Sequence, residues 1–204
     1  MASQSYEEKR EEKLHVREQE RLATRRSSRM RALRKWIIVI MIAAGFGAGI
    51  ILFLGRQLPE GEDMSRTVPL QGVEHIAQGA AHPPYNSNPP TSGWHYADPA
   101  RSGFYTNAVA DETVIHNLEH GDVWVAYHPR IPDEVKNALR DFALTKVIIT
   151  LREENDMDIT LAAWGRIDMF DLADGNLSDA DRARIDGFIK RYRNRGPERV
   201  LSSP

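Results

Sequence analysis

The stretch Lys146–Trp164, KVIITLREENDMDITLAAW, contains two apolar runs separated by a polar segment. Lys146–Leu151 and Ile159–Trp164 are rich in β-branched and other apolar residues, which favours strands. The polar segment Arg152–Asp158 is typical of a connecting loop, so we predict that the two strands form a hairpin. A sheet is therefore expected at the centre of the fold.

The elements on either side of this pair give the order of the domain. Thr113–Ile115 and Val123–Tyr127 are β-rich runs that flank a turn. Helices are predicted from Pro132, because proline is tolerated in a first turn, and from Ser178, because Ser178-x-x-Asp181 resembles a capping box. The apolar residues of these helices recur at helical spacing: Val135, Leu139 and Phe142, then Ile185, Phe188, Ile189 and Tyr192. The order β, β, α, β, β, α predicts an α+β domain with a mostly antiparallel sheet and two helices.

A long apolar run precedes the domain. Trp36–Leu54 reads WIIVIMIAAGFGAGIILFL and carries no charge. As a helix, a run of this length spans about 28 Å, close to the ~30 Å hydrocarbon core of a bilayer. The run is longer than the apolar part of a typical signal peptide, and no small-x-small cleavage site follows it. We therefore expect an uncleaved, single-pass signal-anchor, with the core helix of a soluble protein as the alternative.

The charge of the chain changes sign across this run. Residues 1–35 carry 11 basic and 6 acidic side chains, a net charge of +5, whereas residues 36–204 carry a net charge of −7. Because basic residues accumulate at the cytoplasmic end of membrane helices, we expect the N-terminus in the cytoplasm and the acidic part outside. The acidic part argues against nucleic-acid binding, and the expected partner is the lipid bilayer.

These features predict five consecutive parts of the chain. They are a charged helical segment on the cytoplasmic side (1–35), a transmembrane helix (36–54), a tether (55–66), an extracytoplasmic α+β domain (67–195) and a C-terminal tail (196–204). Gly45 and Gly49 form a G-x-x-x-G in the apolar run, a spacing that lets two membrane helices approach closely. A homodimer or a membrane-protein partner at this surface is one hypothesis. Small residues without a role in association are the alternative.

The histidines carry the main chemical signal. The chain contains no cysteine, which excludes disulfides, thiolate metal sites and a cysteine nucleophile. Six of the seven histidines fall within one segment: His75, His82, His95, His116, His120 and His128. Neutral imidazole is the commonest metal ligand in proteins, so the clustering indicates a metal site. His75 and His82 are weaker candidates because they lack a fixed spacing to the others, and His128 is typical of a strand end.

His116-Asn117-Leu118-Glu119-His120 has the spacing of a metal site. Histidines four residues apart face the same side of a helical turn, and Glu119 could be a third ligand, a general base or an acceptor for an imidazole N–H. The letters also fit H-x-x-E-H, a zinc-peptidase motif that requires a helix, whereas the flanking residues here are β-like. In a purely structural alternative, His116 and His120 hydrogen-bond the backbone of a turn.

A Pro-rich loop supplies the remaining candidate. Tyr85–Tyr96 reads YNSNPPTSGWHY, and the prolines and glycines of Glu74–Gly103 exclude a helix and predict a long, packed loop. Thr91–Gly93 predicts a tight turn that presents His95 at its exit. His95 could therefore complete a site with the histidines of the HNLEH segment, or the turn could simply hold the loop on the sheet.

The two segments together resemble a known family. His82–Tyr96 and Val114–Tyr127 (VIHNLEHGDVWVAY) are similar to the bacterial domain-of-unknown-function family 3105, DUF3105. The resemblance covers about residues 67–195 and implies a single membrane helix followed by an outer domain with PPTSG-x-HY and HNLEHG motifs. The matching positions are Pro89, Pro90, Thr91, Ser92, Gly93, His95, Tyr96, His116, Asn117, Leu118, Glu119, His120 and Gly121. The resemblance implies an architecture and no activity.

Three functions fit these residues. The first is a membrane-anchored extracytoplasmic domain that binds copper or zinc through His95, His116 and His120, with Glu119 in support. The second is a non-enzymatic interaction module, such as an accessory subunit of a membrane complex. The third is a zinc-dependent hydrolase that uses His116, Glu119 and His120. We favour the first, and no catalytic residue is assigned.

Overall fold

The computed structural model describes residues 33–55, 58–59 and 61–198, which belong to two compact units that divide after residue 56. Most of the predicted cytoplasmic helical segment and the last six residues of the predicted tail lie outside the described residues. The described part of the first unit is helix α1, Leu33–Gly55. This helix is long and apolar enough to cross a bilayer, a property that it shares with signal sequences near an N-terminus.

The second unit is an α+β domain, as the sequence predicts. Its strands are β1 (Arg66–Thr67), β2 (His75–Ile76), β3 (His95–Tyr96), β4 (Gly103–Ala108), β5 (Val123–Tyr127), β6 (Val147–Leu151), β7 (Ile159–Ala163) and β8 (Arg166–Phe170). Its helices are α2 (Asp111–Glu119), α3 (Asp133–Leu139) and α4 (Asp179–Tyr192), with short 3₁₀ turns at Arg140–Phe142 and Ala173–Gly175.

Six of the strands form one sheet in the order β1-β8-β7-β5-β6-β4. The pairs β1/β8, β8/β7 and β7/β5 are antiparallel, and the pairs β5/β6 and β6/β4 are parallel. The predicted mostly antiparallel sheet is therefore confirmed. Strands β2 and β3 form a separate, parallel two-stranded sheet within the Pro-rich loop.

The hairpin predicted for Lys146–Trp164 is wrong. Its two strands are present as β6 and β7, but they lie on opposite sides of β5. All five residues of β5 are buried, as expected for a continuous apolar strand with both faces covered. The antiparallel hairpin is instead β7/β8, whose two-residue turn contains Gly165 at a φ of +66°.

The strand predicted at Thr113–Ile115 is also wrong, because these residues belong to α2. The described part of the domain consequently has three helices, one more than predicted. The helix propensity of β-branched residues is lower than that of alanine by only ~0.7 kcal/mol or less per residue. Val114 and Leu118 are fully buried in a cluster with Trp124, and burying such side chains contributes about 1.5–3 kcal/mol each. Packing therefore decides the conformation.

Helices cover both faces of β5. On one face, Val123 and Val125 pack in the core cluster that includes Leu139 of α3 and Ile185 of α4. On the other face, Trp124 packs with the apolar residues of α2. The C-terminal end of α2 therefore lies close to the start of β5, where the HNLEHG segment joins the two elements.

Candidate metal site

The HNLEHG segment forms the last turn of α2 and the tight turn that follows. His116 lies within the helix and His120 caps its C-terminus, one helical turn further on. Gly121 ends the helix at a φ of +82°, and a Cβ at this position would lie 2.9–3.0 Å from the backbone of Asn194–Gly196. The left-handed conformation and the close approach of a second segment both require glycine here.

The Pro-rich loop places His95 beside His75. The backbone N–H of Gly93 donates to the carbonyl of Gly72 at 3.1 Å, and that of His95 donates to the carbonyl of Glu74 at 3.0 Å. These bonds accompany the parallel pairing of β2 with β3, in which His75 and His95 are register partners. Their imidazole centroids are 4.6 Å apart as a result.

His95 and His116 each use Nδ1 for a backbone hydrogen bond. The Nδ1–H of His95 donates to the carbonyl of Gly93 at 2.7 Å, and the Nδ1–H of His116 donates to the carbonyl of Tyr96 at 2.7 Å. The second bond is of the kind that the structural alternative predicts for His116. Both bonds place the proton of a neutral imidazole on Nδ1, which leaves the Nε2 lone pair available to a metal ion.

Three histidines bring their ligating nitrogens together. The nitrogens of His75, His95 and His116 all lie within 4.8 Å of one another, and we call these residues the histidine triad. His95 and His116 are buried, whereas His75 is exposed. Two nitrogens bound to one tetrahedral ion at 2.0–2.1 Å are about 3.3 Å apart. The spacing of the triad is therefore that of a group that could hold one ion.

The other two predicted ligands each contact one member of the triad. Glu119 Oε2 is 3.0 Å from His95 Nε2, and His120 Nε2 is 3.0 Å from His116 Nε2. Because His95 already donates through Nδ1, its contact with Glu119 requires a proton on Nε2, a protonated carboxyl group or a cation between the two atoms. Ligation by Glu119 and His120 stays a prediction.

The environment of His116 favours its neutral form. Burial lowers the pKa of the His116 imidazole, and the neighbouring His120, His95 and His75 lower the pKa further. The hydrogen bond to the Tyr96 carbonyl acts in the opposite direction without reversing the shift. A neutral ring is the form that binds a metal ion. Because its pKa is lowered, His116 is neutral at a pH where a free histidine would already be protonated.

Two of the remaining histidines have other partners. His82 Nε2 is 3.2 Å from Glu112 Oε1, and its ring stacks on Trp94. His128 directly follows β5, as its interpretation as a strand-end residue predicts, and its Nδ1 accepts the backbone N–H of Arg130. His75, by contrast, belongs to the triad although its position in the sequence gives it no fixed spacing to the other members.

Two supporting residues are not indicated by any sequence pattern. The Arg152 guanidinium is buried and donates two hydrogen bonds to Asp111 in the first turn of α2, at 2.9 and 2.8 Å. It also donates to Asn88 Oδ1 at 2.6 Å and thereby ties the Pro-rich loop to the helix. Glu198 Oε2 lies 3.4 Å from His120 Nε2. Both residues are distant in sequence from their partners, so only the tertiary fold reveals them.

The fold and the site define a class of protein: an α+β domain with a cluster of histidines between a helix end and a Pro-rich loop. In the part of the chain that the structure describes, a helix of membrane-spanning length precedes this domain in sequence. Residues 77–203 match the profile of the DUF3105 family, described as a protein of unknown function, and the chain belongs to that family. The resemblance stated from the two motifs is thus confirmed. No curated protein and no solved structure matches the chain.

Proposed function

We propose that this protein is a membrane-anchored, extracytoplasmic domain that binds one copper or zinc ion through the histidine triad. The observation that carries the proposal is the convergence of the three ligating nitrogens within 4.8 Å. The hydrogen bonds of His95 and His116 to backbone carbonyls add to it, because they place the proton of each neutral ring on Nδ1 and make Nε2 the nitrogen available to a metal ion. Imidazole ligands suit both metals, and the Irving–Williams order favours Cu²⁺ over Zn²⁺ at an equivalent site.

Each side chain of the cluster has a defined part in this proposal. His75, His95 and His116 supply three nitrogen ligands, and Glu119, beside His95, is the candidate for a fourth ligand that also balances the charge of the ion. His120 contacts the triad from the side of His116. Binding displaces any proton held on the ligating nitrogens, so loading releases protons to the buffer.

Metal content is the direct test. The full chain, purified in detergent, is incubated with Zn²⁺ or Cu²⁺, dialysed and assayed by elemental analysis. We expect about one ion per chain in the wild type and a clear loss in His116→Ala. His128→Ala is the matched control, because it also removes one imidazole but lies outside the triad. A metal-free wild type, or equal retention by His116→Ala and the wild type, contradicts the proposal.

The anchoring and the orientation have their own test. The length and composition of α1 support a membrane span, and the basic segment before it supports a cytoplasmic N-terminus. Because the chain has no cysteine, Ser27→Cys and Glu153→Cys each introduce a single labelling site. We expect a membrane-impermeant maleimide to label Glu153→Cys on intact cells and Ser27→Cys only after lysis. The reverse pattern contradicts the orientation, and recovery of both variants in the soluble fraction contradicts anchoring.

A zinc-dependent hydrolase is the second candidate. The H-x-x-E-H motif requires a helix, and α2 supplies one where the sequence predicted a β-like flank. His116 and His120 face each other at the end of this helix, as the H-x-x-E-H arrangement requires. In a hydrolase, Glu119→Gln would retain zinc and lose turnover of a fluorogenic peptide mixture. Absence of any turnover by the zinc-loaded wild type removes this candidate and leaves metal binding intact.

A further inference from the structure

Ligand atoms continue outward from the triad to the surface. His120 Nε2 is 3.0 Å from His116 Nε2, and Glu198 Oε2 is 3.4 Å from His120 Nε2. From the buried members of the triad, side-chain exposure rises along this direction, from 0% for His95 to 18% for His120 and 53% for Glu198, whereas the third member, His75, is itself exposed. Each neighbouring pair of these atoms is close enough to bind one ion together, so potential ligands lead from the buried His116 nitrogen to solvent.

Glu198 is held at this place by its backbone. Its N–H donates to the carbonyl of Glu119 at 3.1 Å, and the N–H of Asn194 donates to the carbonyl of Gly121 at 2.7 Å. Gly196 packs against the same turn so closely that a Cβ would overlap the carbonyl oxygen of Glu119. The segment that follows α4 is therefore docked on the HNLEHG turn, and it presents the Glu198 carboxylate to His120.

His116 belongs to both groups of ligands. Its Nδ1 is occupied by the Tyr96 carbonyl, so Nε2 is its only nitrogen for a metal ion. His120 approaches this nitrogen directly, and the ligating nitrogens of His75 and His95 lie within 4.8 Å of His116's own. An ion bound at His116 Nε2 can thus exchange its other ligands without leaving this nitrogen.

We propose that His120 and Glu198 form an outer ligand pair that captures the ion and passes it to the histidine triad through His116. The inference rests on the metal binding proposed above. In the outer position the ion is bound by His116, His120 and the Glu198 carboxylate, and any proton held on His120 Nε2 leaves to water. One metal–ligand bond then forms to His95 or His75 as the bond to Glu198 or His120 breaks. The charge and oxidation state of the ion do not change.

Exchange kinetics test this route on the full chain in detergent. Zn²⁺ uptake, and Zn²⁺ release to the chromogenic chelator 4-(2-pyridylazo)resorcinol, are followed by stopped flow for the wild type, Glu198→Gln and His120→Gln. We expect both variants to retain about one ion per chain but to load and release it about tenfold more slowly. Glu153→Gln is the control, because it removes the same charge from an exposed residue that follows β6, at the end of the sheet away from the start of β5.

Each result decides the question. Rates equal to those of the wild type in both variants overturn the route. Loss of the ion from either variant also overturns it, because the residue would then be a permanent ligand. Glu198 is exposed, so its substitution leaves the core intact, and circular dichroism verifies the fold of His120→Gln. If the wild type itself retains no ion, the proposed function fails first, and the equilibrium measurement reveals this before any rate is compared.

Discussion

The two ends of α2 are both fixed by buried polar side chains, but their chemistry differs. At the N-terminal end, Asp111 accepts two hydrogen bonds from Arg152, which also donates to Asn88. At the C-terminal end, His95 and His116 satisfy Nδ1 with backbone carbonyls and direct Nε2 at other potential ligands. At the first end, the positive charge of Arg152 is paired with the negative charge of Asp111, and each donor nitrogen has an acceptor. At the second end, the Nε2 of His95 faces the Glu119 carboxylate, an arrangement that a proton or a cation stabilises.

The difference separates stability from binding within one helix. A guanidinium and a carboxylate stay charged over the physiological range and stabilise the fold only as an intact pair. Imidazoles change between donor, acceptor and metal ligand with small changes in conditions. Substitutions at the N-terminal end should therefore act on the free energy of unfolding, and those at the C-terminal end on metal affinity.

Arg152→Ala should have the largest effect. It leaves Asp111 without its partner, and we expect a decrease of about 3 kcal/mol in the free energy of unfolding. This is the lower end for a buried pair, because the Asp111 side chain is 24% exposed. Urea denaturation followed by tryptophan fluorescence measures the change, with the exposed Arg101→Ala as control. Similar midpoints for the two variants would show that the pair is not a structural anchor.

Loss of a triad member should rank second. We expect His75→Ala or His95→Ala to weaken Zn²⁺ binding by about 100-fold or more, as removal of a direct ligand costs at least as much as loss of a supporting group. Calorimetric titration measures the affinity, and His82→Ala is the control outside the triad. If His75→Ala binds like the wild type while His120→Ala does not, the ligand set is the one predicted from the sequence.

Acidification should have a smaller, graded effect. The pKa of His116 is lowered on folding, mainly by burial, so protonation favours the unfolded chain. The free energy of unfolding of the metal-free protein should fall as the pH drops from about 6.5, the ordinary histidine value, towards the lowered pKa. Urea denaturation at several pH values should show a weaker dependence in His116→Gln. Equal slopes would mean that His116 does not contribute.

The smallest effect is expected in α1. If Gly45 and Gly49 form the contact of a homodimer, leucine at both positions should weaken self-association severalfold, because the larger side chains hold the two backbones apart. Energy transfer between labelled chains in vesicles measures this. Gly47→Leu is the control because it lies on a different face of the helix. A purely monomeric wild type contradicts the homodimer. Crosslinking in intact membranes would then test whether another membrane protein binds at this surface.

Strand positions were more predictable than strand pairing. The apolar runs of Lys146–Trp164 correctly indicate β6 and β7, because β-branched and apolar composition is a local property. Their separation by β5 depends on a strand some 20 residues earlier in the chain, which no local pattern encodes. The strand predicted at Thr113–Ile115 is wrong for a related reason. Its β-branched residues favour a strand locally, but they are helical because Val114 packs on the sheet from α2.

The residues of the site also fall into two groups, those whose position follows from their spacing in the sequence and those that only the tertiary fold places. The spacing of His116 and His120 predicts correctly that they share a face, because helix geometry fixes positions four residues apart. His75 joins the triad only through its parallel register with His95, and Glu198 arrives from beyond α4. Both placements are products of tertiary structure and have no signature in the histidine spacing.

The register of His75 with His95 has a mechanical consequence for a chain without cysteine. An ion held by His75, His95 and His116 would link three points of the backbone and close two loops of about 20 residues each. A cross-link that closes a loop of this size restricts the unfolded chain by about 3 kcal/mol in the chain-entropy account. The bound metal would then be a reversible cross-link of the kind that disulfides supply in other domains. A chelator would remove it and loosen the Pro-rich loop, whereas a reductant would have no effect because the chain has no disulfide.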